Sequence, residues 1–121
     1  MKTGGTFDNK RMLIETTSAM TSTTTGTAID FGGPDMDELN VRAIVSGTIS
    51  GTTPKIVLTY QESADNSTWK TVYTFPDITA AGEWSKKIRA VGRYRRAVAT
   101  VSGTSPSFGS VKVGISTGGV L

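Results

Sequence analysis

The sequence predicts an all-β protein: an antiparallel β-sandwich of jelly-roll type, with an immunoglobulin-like sandwich as the alternative. Three observations predict it. The 121 residues include 20 Thr and 10 Val, and β-branched side chains lose little in the extended chain. Apolar residues recur with period two, and helical periodicity is hard to find. Turn residues break that alternation about every 8–12 residues, as in sandwiches and barrels.

The elements follow in order. Met12 to Glu15 reads as a short strand. Thr16 to Thr27 is mostly Thr and Ser, which fits a polar edge strand or an extended arm. Ala28 to Phe31 is a short extended piece ending at Gly32-Gly33-Pro34. Asp35 to Asn40 has the composition of a short helical turn, with Asp35 and Asp37 at its start. Leu39, Val41, Ala43 and Val45 then give a strand with one apolar face, and Gly47 to Pro54 reads as a turn.

Ile56, Leu58 and Tyr60 share the next apolar face. Ser63 to Ser67 is hairpin chemistry, because Asp65 and Asn66 tolerate positive φ and bond their own backbone. Trp69, Thr71, Tyr73 and Phe75 are expected on one face, with Trp69 as a core anchor. Pro76 to Gly82 connects to Glu83–Ala90, where Trp84 and Ile88 share a face. Tyr94 to Val101 is strongly β. Gly103 to Pro106 reads as a turn into a last strand carrying Val111, Val113 and Ile115, and Thr117 to Leu121 as a loose tail. That makes seven or eight strands. Residues 1–20 are expected as a polar arm and residues 21–121 as one sandwich domain.

Composition narrows the chemistry. The chain has no His and no Cys, so Ser-His-Asp and Cys-His catalysis, His or thiolate metal sites and iron–sulfur clusters are excluded. Carboxylates, Lys and Tyr are the acid–base groups left. No calcium-loop spacing joins Asp30, Asp35, Asp37 and Glu38. The expectation is a binding or structural protein, not an enzyme, with no cofactor, metal or small-molecule substrate. No apolar run follows Lys2, and none approaches the roughly 18 residues of a membrane span. This predicts a protein made and kept in a cytoplasm, or one that leaves it by a route other than secretion, with no membrane partner.

The net charge of +3 is uneven. Lys86, Lys87, Arg89, Arg93, Arg95 and Arg96 fall within eleven residues that hold no acid. Such a stretch suits an acidic protein surface, or it is simply the solvated face of two strands. Nucleic acid is not expected, since only Tyr94 offers a stacking ring nearby. Arg95 and Arg96 are adjacent and point to opposite faces, so one of them must sit at a sheet end or be paired. Leu13 and Ile14, with Met12, are an apolar grip in an otherwise polar arm. They suit an arm that orders on a neighbouring subunit, or a frayed terminus.

Several segments then carry a resemblance. They are Thr27–Pro34, the Leu39–Val45 strand, Leu58-Thr59-Tyr60-Gln61-Glu62-Ser63-Ala64-Asp65 leading into Trp69, and Arg93-Tyr94-Arg95-Arg96-Ala97-Val98 before a Gly-rich final strand. In this order they resemble the small structural proteins of tailed bacteriophages, in particular capsid decoration (cement) proteins with a jelly-roll fold. The resemblance spans about residues 20 to 116. It implies a virion protein on the capsid exterior that bridges major capsid subunits, commonly as a dimer or trimer. The family has no catalytic residues to transfer. Leu13, Ile14, Lys87, Arg89, Arg93, Arg95 and Arg96 are the residues expected to touch a partner. Other readings are a head–tail or tail protein, and a carbohydrate-binding module using Trp69, Trp84, Tyr60 and Tyr73.

Overall fold

A computed structural model describes residues 12–16, 18–30, 37–90 and 92–117 of the chain. Among them the regular elements are all strands: β1 (Met12–Glu15), β2 (Thr24–Thr25), β3 (Ile29–Asp30), β4 (Asp37–Ser63), β5 (Lys70–Thr74), β6 (Gly82–Ala90) and β7 (Tyr94–Thr117). Every pairing between them is antiparallel.

The frame is a ribbon of two long strands. β4 and β7 pair from Leu39 opposite Thr117 to Ser63 opposite Tyr94. The turns expected at Gly47–Pro54 and Gly103–Pro106 do not end these strands. Pairing continues through them with register shifts between Ser46 and Ile49, Ser50 and Thr52, and Thr52 and Lys55. Gly51 and Gly103 have φ of 109° and 114°, and Thr53 and Ser105 also have positive φ. Extra residues and left-handed backbone bend a strand without breaking its ladder. The turn residues thus make a corner, with one leg of each strand on either side.

The bend decides the core. Val41, Ala43 and Val45 on one leg of β4 face Ile115, Val113 and Val111 on β7. On the other leg Leu58 and Tyr60 stand opposite Ala99 and Ala97, large side chains against small ones. All ten are buried and belong to one apolar cluster. A single sheet cannot bury its own face, and the described residues hold no helix to cover it. The two legs therefore cover one another, as two layers of a sandwich. Each fully buried Val or Leu contributes about 1.5–3 kcal/mol.

The remaining strands complete both layers. Counting each leg of β4 and β7 as a strand, one layer runs β1, second leg of β7, first leg of β4, β6. The other runs β2 with β3, first leg of β7, second leg of β4, β5. This is the jelly-roll winding, two layers of four in which consecutive legs change layer except at the β4–β5 hairpin. The immunoglobulin order differs, since there the first two strands share a sheet. A backbone bridge between Ile56 and Ile78 adds Ile78 to the core beside Phe75.

Three expectations are corrected. Residues 37–40 are strand, not helical turn: β6 and β7 flank the first leg of β4, and their ladders outweigh a local turn. Residues 35 and 36 lie outside the described residues, as do 1–11 and 118–121. Second, of the two readings of Thr16 to Thr27 the edge strand is found and the free arm is not: the described residues from Met12 to Asp30 follow the chain's own β7 edge, pairing at Met12–Gly114, Met20–Phe108, Thr24–Ala99 and Ile29–Arg95. Where its ladder lapses, Thr hydroxyls substitute: Thr16 Oγ1 accepts from Val111 N–H at 3.0 Å and Thr23 Oγ1 from Val101 N–H at 3.1 Å.

Third, Leu13 and Ile14 grip this chain and not a neighbour. They are 1% and 4% exposed. A register shift between Met12 and Ile14 turns both adjacent side chains inward, which a regular strand cannot do.

Candidate partner-binding surface

The basic stretch does not form one patch. Strand alternation and the sandwich send its members to different places. Lys87 and Arg89 are exposed on β6, opposite Asn40 and Glu38 of β4. They project from the outer face of the first layer, as expected for a solvated face. β6 pairs only with β4 among the described strands, so it is an edge. Cationic side chains on an edge also discourage edge-to-edge pairing. Lys86 turns the other way, with Nζ 5.3 Å from the centre of the Tyr73 ring on β5, where the two layers meet.

Arg93 is held at the β6–β7 connection. Its Nε and Nη2 donate to the two carboxylate oxygens of Asp30 at 2.8 and 2.9 Å. That carboxylate raises the Arg93 pKa further, by the hydrogen bonds first and by its charge second. The guanidinium also lies 5.1 Å from the Tyr94 ring. Arg93 therefore fastens β3 to the start of β7.

Arg95 corrects the expectation most sharply. It is 0% exposed and cannot touch a partner. It sits on the inward face of β7, beside Ala97, with Glu62 opposite. Its Nε donates to the Gly92 carbonyl at 3.0 Å. Glu62, itself 6% exposed, accepts from the Tyr60 hydroxyl at 2.8 Å and from Gly92 N–H at 2.9 Å. These groups tie the sheet end to the β6–β7 connection. A buried ionic group needs such partners, because desolvation costs several kcal/mol per ion.

Arg96 is the member that faces outward and is pre-set. Its Nε donates to Gln61 Oε1 at 2.8 Å. Gln61 Nε2 in turn donates to Thr71 Oγ1 at 3.2 Å. The guanidinium carbon lies 4.2 Å from the centre of the Trp69 ring. Stacking on a ring and bonding through one edge fix the guanidinium plane.

Trp69 is where sequence reasoning misplaced a residue. It was expected in the core with Tyr73 and Phe75. A register shift between Tyr60 and Gln61 puts Tyr73 opposite Tyr60 but Thr71 opposite Gln61. Tyr73 and Phe75 go inward, their rings edge-on at 4.9 Å. Trp69 lies outside the apolar cluster, half-buried under Arg96. Gln61 was missed too. The available signal was that Gln61 and Arg96 both alternate out of phase with core residues.

Several described carboxylates have local partners. Asp30 binds Arg93, Glu83 binds Arg42 at 2.8 Å, and Asp77 lies 3.8 Å from Lys55. Asp65 closes the β4–β5 turn: its Oδ1 accepts from Thr68 N–H at 2.8 Å, Ser67 N–H at 2.9 Å and the Ser63 hydroxyl at 3.0 Å. Asn66 has φ of 61°, the left-handed conformation expected of it.

In fold, the chain is similar to the crystal structure of PBSX exported protein XepA. The TM-score is 0.66 with 15% sequence identity, over 98% of this chain and 39% of that one. The chain thus spans about two fifths of the protein it matches. No family model and no curated protein matches the sequence.

Proposed function

We propose that this chain is a structural protein of a tailed phage that binds the outside of the capsid and stabilises it by bridging major capsid subunits. One observation carries the reading. The two segments that most resemble decoration proteins, 58–65 and 93–98, are neighbours in one layer of a jelly roll, paired at Gln61–Arg96 and Ser63–Tyr94. The fold likeness to the phage PBSX exported protein XepA supports a phage setting. The carboxylates' ties within the fold suit a protein that presents surface and carries out no reaction.

In this reading the partner is the major capsid protein, and the chain acts as a dimer or trimer. Several weak contacts per oligomer then add through effective concentration. No cofactor, nucleic acid, membrane or small-molecule substrate takes part. The test is sedimentation of the purified chain with empty expanded heads of its own phage. The chain is expected in the particle fraction, saturating at a fixed number of copies per head. A chain that stays in the supernatant at all concentrations overturns the reading.

The printed name of XepA favours one other reading, a phage protein exported from the cell. It predicts the chain in the medium of an infected culture, separate from particles on a density gradient.

A further inference from the structure

The two outer faces of the sandwich differ in charge. The first layer carries Arg42, Glu83, Lys87, Arg89 and Lys112 outward. The second layer presents three central rows of outward residues, between a row that carries Lys55 and one that carries Asp30. One is Thr25, Val98, Thr59 and Thr74 across four strands. The rows beside it are Thr100 with Val57, and Arg96 with Gln61 and Thr71. Within these rows Arg96 is the sole charge, with Trp69 beneath it. Interface cores are depleted in Lys, Glu and Asp, as these rows are, and their energetic centres are rich in Trp and Arg, the pair found at Trp69 and Arg96.

We infer that the outer face of the second layer is a docking surface for another protein, centred on Arg96, whose guanidinium takes an Asp or Glu carboxylate of that partner. The inference rests on the capsid reading for the partner's identity and deepens it by naming the face. The occupant follows from charge. The guanidinium is already oriented by Trp69 and Gln61, so a bidentate carboxylate costs little ordering. A nucleic acid needs several cations along its backbone, and these rows hold one. A second copy of the chain placed face to face would set the three central rows against each other, and these hold no carboxylate; Asp30 and Asp77 at their ends lie against Arg93 and Lys55.

The test compares binding to empty expanded heads by the wild type, Arg96→Lys, Arg96→Gln and the double variant Lys87→Gln/Arg89→Gln, each checked for an unchanged melting curve. Lys keeps the charge and loses the planar fork, so both Arg96 variants are expected to weaken binding roughly tenfold or more. The double variant is expected to stay within about twofold, since rim charges act mainly on association rate and salt dependence. Arg96 variants that bind like wild type overturn the inference and leave the capsid reading standing.

A wild type that does not bind heads overturns the capsid reading instead, and a second arm then judges the inference. In a Trp84→Phe background, Trp69 fluorescence is followed against a hexaglutamate peptide, with sodium chloride at equal ionic strength as control. A saturable change that Arg96→Lys abolishes supports the docking face. Its absence overturns it, as does a dimer in sedimentation velocity that Arg96→Lys dissociates.

Discussion

Asp65 shows how one side chain sets a turn. The Thr68 N–H first, then the Ser67 N–H and the Ser63 hydroxyl, hold its carboxyl below the ordinary value. A carboxyl with a lowered folded pKa adds stability that is fully present above its unfolded pKa and lost as pH falls through the folded one. Asp65→Ala is therefore expected to destabilise the protein at pH 7. Its deficit against wild type should shrink once pH falls below about 4, where unfolded Asp gains its proton. Urea denaturation at a series of pH values measures this; a deficit unchanged down to the acid limit contradicts it. Asp65 and Asn66 were legible because Asx chemistry is local. Arg95 and Arg96 were only half legible. Alternation required opposite faces, yet only the partners across the sheet decide which face is core. For Arg95 those partners stand about 30 positions away, at Glu62.

At the scale of elements, strand content and turn residues were readable, while the role of the turns was not. Gly51 and Gly103 advertise sharp backbone, which local sequence reports well. Whether a sharp residue ends a strand or bends it depends on the strand alongside, and each of these glycines lies against the other strand's corner. A Cβ on Gly103 would come within 2.6 Å of the Thr53 carbonyl oxygen, and one on Gly51 within 2.5 Å of that of Ser105. Both also have φ that side chains adopt with strain. Gly103→Ala is expected to destabilise by about 1–3 kcal/mol, by strain at this φ and by displacing the opposite strand. A chemical denaturation midpoint equal to wild type contradicts this. Leu13 and Ile14 belong to the same scale: their apolar signal was read correctly and their acceptor was not. A register shift that buries adjacent residues leaves no mark in composition.

At the scale of the whole molecule, the sandwich separates a charged outer face from one whose three central rows hold a single charge. The net charge of +3 pointed to 86–96, but the fold distributes that stretch over an edge, a connection, the core and the second outer face. A linear cluster of charge becomes a surface only if its strand parity and layer agree, and here they do not. The account therefore narrows the expected contact, which included Lys87, Arg89, Arg93 and Arg95 beside Arg96, to Arg96 and the Thr–Val rows around it. The most direct measurement is the melting temperature of empty expanded heads, stripped of this chain and then resaturated with it. The account predicts that the head transition rises with occupancy and levels off when sites are filled. A transition that stays in place while the chain is bound contradicts a stabilising role.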